Sequence, residues 1–291
     1  MTHPEQSSPV APQSFGARLE STFATRGHLC VGIDPHPYLL ASWGLPDSAA
    51  GVREFGLRVV GATSGRAGIV KPQVAFFERY GSAGFAALED ILSEARGAGL
   101  LVIADAKRGD IGTSVEAYGQ AWLTPGSPLE SDAMTISAFQ GVGSISAPAR
   151  LAEQGGKGLF VLAATSNPES FGLQTAIIGR GEFAGRTVSA SIVAEVNSWN
   201  REPLGSVGVV IGATVKLDDY GVAEDDLATT PILAPGFGHQ GVGFDALHSV
   251  YGSASGNVIV SSSRAILEAG PAGISGVIDA QTQQLTEVFA A

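Results

Sequence analysis

Cysteine is almost absent from this 291-residue chain. Cys30 stands alone, so no intramolecular disulfide can form and a cross-linked scaffold is excluded. Cys30 lies in an apolar stretch and reads as a small buried hydrophobe. Charge is scarce as well, at 15% of residues, and the 17 basic residues are outnumbered by 28 acidic ones, for a formal net charge of −11. That balance argues against a broad nucleic-acid surface, although a local cluster of Lys and Arg can still receive a small anion. No apolar run approaches the ~18 residues that a membrane span requires. Met1 to Ser14 is polar and Pro-rich, without the basic and apolar regions of a secretory leader, so a flexible tail over residues 1–14 is expected. These absences together fit a cytoplasmic protein.

What is present is core. Hydrophobic residues make up 44% of the chain and there are 39 glycines, enough for a large interior with many tight turns. Short apolar runs recur: His28–Pro35 (ending in Asp34 and Pro35), Gly68–Pro72, Leu100–Ala104, Ala133–Ser137, Gly158–Ala164, Val207–Gly212, Pro231–Pro235 and Asn257–Ser261. Between them lie mostly helical patterns, among them Phe15–Thr25, Asp47–Thr63 (capped by Asp47 or Ser48), Ser82–Ala98 and Ala272–Phe289. Eight strands alternating with helices predict an α/β chain folded as a (β/α)8 TIM barrel, with residues 15–291 as a single domain. The first strand is not followed by G-x-G-x-x-G, which argues against the rival open dinucleotide-binding sheet. Pro168–Glu182 reads as irregular. The acidic stretch Asp218–Asp226 reads as a solvated surface insertion.

In such a barrel the working residues lie where strands end and loops begin. Asp34, Lys71, Asp105, Lys107, Asp110, Ser166, Gln240 and Arg264 all fall there. Singly, each has a plain reading: Asp34 starting a turn, Lys71 solvated on a rim, Ser166 capping, Arg264 closing a strand. A structural rim does not need a charge or hydrogen-bonding group at strand after strand. Asp105 stands two residues before Lys107, on the same side of an extended chain and within its reach. Pro235–Gly241 is a Gly-rich loop whose N–H groups, with the side chains of Gln240 and Arg264, suit a phosphate.

The segments Asp105-Ala106-Lys107-Arg108-Gly109-Asp110-Ile111-Gly112, Lys71-Pro72-Gln73-Val74-Ala75-Phe76-Phe77-Glu78, Thr165-Ser166-Asn167-Pro168 and Pro235-Gly236-Phe237-Gly238-His239-Gln240-Gly241 resemble those of the orotidine 5′-phosphate decarboxylases, in particular their longer bacterial branch. The resemblance implies conversion of orotidine 5′-monophosphate to UMP and CO2 in pyrimidine biosynthesis, without metal or organic cofactor. It implies a charged network of Lys71, Asp105, Lys107 and Asp110, the last supplied by the partner subunit of a homodimer. Lys107 is then the proton donor and Asp105 lies against the substrate carboxylate. Asp34 and Lys71 hold ribose hydroxyls, with Ser114 reaching ribose across the dimer. Ser166 meets the pyrimidine amide. Pro235 opens the phosphate loop, and Gln240 and Arg264 grip the phosphate. Ser114, the Ser137–Gly141 segment and His239 depart from the family pattern.

Two other readings use the same residues. A Mg2+-dependent sugar-phosphate decarboxylase or aldolase would share D-x-K-x-x-D but want further carboxylates at the mouth, where the second strand ends instead in Lys71. A non-catalytic nucleotide-binding module would be marked by loss of a network residue, and none is lost.

Overall fold

The short apolar runs become parallel strands because each is buried on both faces, by side chains inside the barrel and by helices outside it. The computed structural model describes residues 12–238 and 241–290. The described strands are β1 (Leu29–Ile33), β2 (Ile69–Pro72), β3 (Leu101–Arg108), β4 (Ala133–Ile136), β5 (Gly158–Ala164), β6 (Val207–Ile211), β7 (Ile232–Pro235) and β8 (Val258–Ser262). Neighbours in sequence pair in parallel, and β8 closes on β1 through Leu29↔Val260 and Val31↔Ser262, which makes the expected (β/α)8 barrel. The helices are α1 (Phe15–Arg26), α2 (Pro37–Ser42), α3 (Ala49–Thr63), α4 (Ala75–Glu78), α5 (Gly81–Gly97), α6 (Gly112–Leu123), α7 (Ser146–Gly155), α8 (Phe171–Gln174), α9 (Val188–Trp199), α10 (Leu247–Tyr251), α11 (Arg264–Leu267) and α12 (Gly270–Ala290). Of the two candidate caps for α3, Ser48 is the one used: its hydroxyl accepts the Gly51 N–H at 3.2 Å.

Strand parity divides the core in two. Cys30, Ile69, Leu101, Ile103, Ala133, Phe160, Val210, Leu233 and Ile259 form an inner cluster. Their neighbours, such as Val31, Val70, Val102, Met134, Val161, Val209 and Val260, join the larger cluster under the helices. The foot of the barrel is plugged by Phe15 and Leu19 of α1, both fully buried, with Phe15 edge-on to Phe160 at 5.9 Å. Gly158 makes room for the plug, since a Cβ there would stand 2.5 Å from the Phe15 ring. Of the expected tail, residues 1–11 lie outside the described residues, and Ser14 caps α1 by accepting the Ala17 N–H.

The stretch around Asp218–Asp226 is more than a solvated insertion. It forms two 3-10 turns, Leu217–Tyr220 and Glu224–Leu227, where a helix would cover the barrel between β6 and β7. Leu217, Tyr220, Val222 and Leu227 are buried while Asp218, Asp219, Glu224 and Asp225 face water. Apolar residues interleaved with the acids supply the covering surface.

Candidate active site

The inward parity of the strands continues past the apolar layer into the mouth. Two residues beyond Ile69 comes Lys71, beyond Ile103 comes Asp105, beyond Ala133 comes Thr135, and beyond Ile259 comes Ser261. These four line a cavity of about 480 Å³ together with Asp34, Gln73, Lys107, Thr165, Ser166, Asn167, Gln174, Pro235 and Arg264. Its apolar floor is Leu162, Val210 and Leu233. Among the expected site residues, the structure thus gathers Asp34, Lys71, Asp105, Lys107, Ser166, Pro235 and Arg264 around one space. Asp110 and Ser114 do not line it: Asp110 is half-buried, Ser114 is exposed, and the Asp110 carboxylate accepts the Ile111 N–H at 2.8 Å. Gln240 and His239 lie outside the described residues.

Asp105 is the hub. Its Oδ2 accepts from Lys71 Nζ at 2.8 Å, and its Oδ1 from Lys107 Nζ at 2.5 Å and from the Thr135 hydroxyl at 2.8 Å. Lys71 and Asp105 are buried, whereas the Lys107 side chain keeps 46% of its surface open to the mouth. Burial alone would push the Asp105 carboxyl up, but the Lys71 and Lys107 ammoniums overcome it and hold the group well below the usual carboxylate range. Burial would lower Lys71, but Asp105 and then Asp34 hold it above the ordinary lysine value. Lys71 and Asp105 therefore keep their charges.

The strand expected over Leu100–Ala104 runs on to Arg108, so Asp105 and Lys107 belong to β3 itself. Their contact is not that of a regular strand. β3 pairs Ala104 with Met134 and Arg108 with Ile136, so three residues, Asp105 to Lys107, stand opposite Thr135 alone. Lys107 takes φ +46°, the left-handed region, and no other non-glycine residue among those described does so.

Other parts of the mouth hold unspent polar atoms. Asp34 Oδ1 and Ser263 Oγ are buried and have no hydrogen-bond partner among the described residues. Arg264 opens α11 at the rim and is in no ion pair among the described residues. The Ser166 loop is pinned from behind: Gln174 Oε1 accepts the Thr165 N–H at 2.9 Å, and Thr165 Oγ1 donates to Asn167 at 2.8 Å. Gly236 and Gly238, in the loop after β7, take φ +113° and +79°, backbone that side chains disfavour.

Sequence reasoning missed Gln73, Thr135, Gln174, Ser261 and Ser263. Parity counted from the inner apolar residues would have found Gln73, Thr135, Ser261 and Ser263. Gln174 lies in the segment read as irregular, where no such count applies.

A model of the orotidine 5′-phosphate decarboxylase / HUMPS family matches residues 27–273. A Streptomyces coelicolor protein named orotidine 5′-phosphate decarboxylase is 48% identical over 260 residues, covering 89% of this chain and 91% of its own. One of the same name from Salinispora arenicola is 49% identical over 263 residues, with the same coverage of each chain. Among solved structures, a Streptomyces avermitilis protein overlays with a TM-score of 0.91 at 44% identity, over 98% of this chain and 99% of that one. The OMP decarboxylase of Leishmania donovani overlays at 0.76 with 28% identity, over 96% and 100%.

Proposed function

The chain belongs to the orotidine 5′-phosphate decarboxylase / HUMPS family, and from that premise we propose that it converts orotidine 5′-monophosphate to UMP and CO2, a step of pyrimidine biosynthesis. The observation that carries this reading is the Lys71–Asp105–Lys107 chain of alternating charge, facing a cavity at the barrel mouth. In the reaction the bond from the ring to the carboxylate breaks, CO2 departs, and the electron pair stays on the ring carbon. A fixed ammonium suits that carbon twice, first stabilising the developing negative charge and then giving it a proton. Lys107 is the ammonium with open surface toward the cavity, and Lys71 is the one sealed behind Asp105. Asp105, held ionised, repels the substrate carboxylate in the ground state, and the repulsion falls as CO2 leaves. Asp34 Oδ1, buried and without a partner among the described residues, accepts a ribose hydroxyl in this reading. Arg264 and the loop after β7 receive the phosphate, whose binding energy helps to organise a site remote from it.

The same reading makes the protein a homodimer with shared sites. Asp110 stands outside its own cavity, and exposed apolar side chains follow it at Ile111, at Tyr118 on α6 and at Phe139 after β4, the last 77% exposed. That surface suits a second copy, which would carry Asp110 toward the neighbour's Lys107.

The Mg2+-dependent reading is disfavoured because the Lys71 ammonium, 2.8 Å from Asp105 Oδ2, holds the place where a metal would want an oxygen ligand. The test is to follow the ultraviolet absorbance of orotidine 5′-monophosphate with purified protein in EDTA. Turnover is expected. An inert protein would sink the reading, and turnover only on adding Mg2+ would favour the metal enzyme.

A further inference from the structure

Thr135 has no part in the reaction described above, yet it makes two bonds to the group that performs it. Its hydroxyl accepts the Lys107 backbone N–H at 2.9 Å and donates to Asp105 Oδ1 at 2.8 Å. It is 1% exposed and is the one residue of β4 facing the three-residue bulge of β3. A bulge leaves backbone groups without ladder partners, and a buried N–H without a partner is costly. Lys107 meanwhile sits at φ +46°, where a side chain is strained. Such a conformation persists only when its surroundings over-determine it.

The Thr135 hydroxyl is placed to do this. As acceptor it satisfies the Lys107 N–H and so holds the bulge. As donor it fixes Asp105 Oδ1, the same oxygen that receives Lys107 Nζ. One side-chain oxygen therefore closes a ring through the Lys107 backbone, the Lys107 ammonium and the Asp105 carboxylate. We propose that Thr135 is a positioning residue that clamps Lys107 and Asp105 into their mutual geometry, so that the ammonium is aimed before substrate arrives. The inference rests on the decarboxylase reading, in which Lys107 is the proton donor.

A packing role makes the opposite prediction, which allows a sharp test. Valine fills the space of threonine without the hydroxyl, and serine keeps the hydroxyl without the methyl. If Thr135 only fills space, Thr135→Val is benign and Thr135→Ser is the harmful change. If it clamps, Thr135→Val lowers kcat at least about tenfold while the Kd for UMP moves less than about threefold, because the loss falls on the transition state. Thr135→Ser then keeps kcat within about threefold of wild type. A valine variant with near-normal kcat, or a serine variant as impaired as the valine one, overturns the clamp. Should Thr135→Val fail to fold, Thr135→Ala against Thr135→Ser carries the same comparison, and equal loss in the two overturns it. A second arm is independent of the reaction. In a crystal structure of the valine or alanine variant, Lys107 is expected to leave the positive-φ region or its ammonium to withdraw from Asp105, and an unchanged conformation refutes the clamp. A wild-type protein inert toward orotidine 5′-monophosphate would sink the decarboxylase reading and leave this structural arm to decide the clamp.

Discussion

Buried ion clusters sit at both ends of the barrel, and they differ in what their atoms have left to bind. At the foot, Asp132 Oδ1 accepts from Arg18 at 2.6 Å and its Oδ2 from the Val102 N–H at 2.9 Å. Lys157 donates to Glu130 at 2.7 Å and lies 3.7 Å from Asp132. Arg18 spends a second N–H on the Gly156 carbonyl. The members of this cluster are committed to one another. At the mouth, Asp105 is equally satisfied, but around it Asp34 Oδ1 and Ser263 Oγ are buried without partners among the described residues and Lys107 is half open. Space does not separate the two ends, because a cavity of about 430 Å³ also lies at the foot, beside α7 and α9. Unspent hydrogen-bonding capacity facing a cavity does. A closed polar network serves the fold, and one with free valences is poised for a ligand.

The largest effect is expected at the mouth. On the proposed mechanism Lys107→Ala should cost about 10⁴-fold or more in kcat, since it would remove both the proton donor and the charge beside the reacting carbon. UMP should still bind, as measured by calorimetry, and near-normal turnover would remove Lys107 from its role. In the proposed dimer with shared sites, mixing that variant with Asp110→Ala protein should restore up to about a quarter of wild-type activity, because half of randomly formed dimers would be mixed and each would hold one intact site. No recovery in demonstrably mixed dimers would count against shared sites.

The foot should respond in stability alone. Asp132→Ala leaves Lys157 and Arg18 short of a partner and the Val102 N–H without an acceptor, at a cost of about 3 kcal/mol in denaturant unfolding. Its kcat per folded molecule should stay within about twofold of wild type. A large loss of kcat in that variant would break the division between the two ends.

The last expected effect follows from pH, again at the foot, and is of the same size as that of Asp132→Ala. His28 is stacked between Phe23 and Phe289, with ring centroids 3.9 and 3.8 Å away, and burial lowers its pKa to about 4 despite the bond to the Val258 carbonyl. The folded state therefore holds His28 neutral where the unfolded chain takes up a proton. Stability is undiminished above the ordinary histidine value of 6.5, falls as pH drops toward about 4, and loses no more from this group below that. The loss is at most about 3 kcal/mol, from 1.36 kcal/mol per pK unit. Asp105, held low by the two lysines, loses its contribution only below the usual carboxylate range, so the two ends separate in pH. Unfolding measured from pH 7 to 4 in wild type and His28→Gln checks this, and identical slopes would refute it.

Much of the fold was legible in the chain, for a local reason. A strand buried on both faces writes itself as a short apolar run, and the eight runs fall on the eight described strands. The stretch Asp218–Asp226 misled because its acids dominate the composition, while Leu217, Tyr220, Val222 and Leu227, which cover the barrel, are sparse and follow no helical period. At the site, Lys71, Asp105 and Lys107 were found from charge at a strand's end. Thr135 carries no charge and sits in the run Ala133–Ser137, where it read as one more strand residue.

By itself, the sequence determined which side chains point into the barrel. The period of two is a property of the extended backbone, and it carries Ile69 to Lys71 and Ile103 to Asp105 whatever the partners. Tertiary structure alone decided where those side chains meet. The slip of β3 against β4 that sets Asp105, Ala106 and Lys107 against Thr135 arises from pairing between strands 30 residues apart in sequence. Closure of β8 on β1 brings Arg264 round to Asp34 at the rim of one cavity. Such contacts depend on register between distant segments, and no local pattern encodes register.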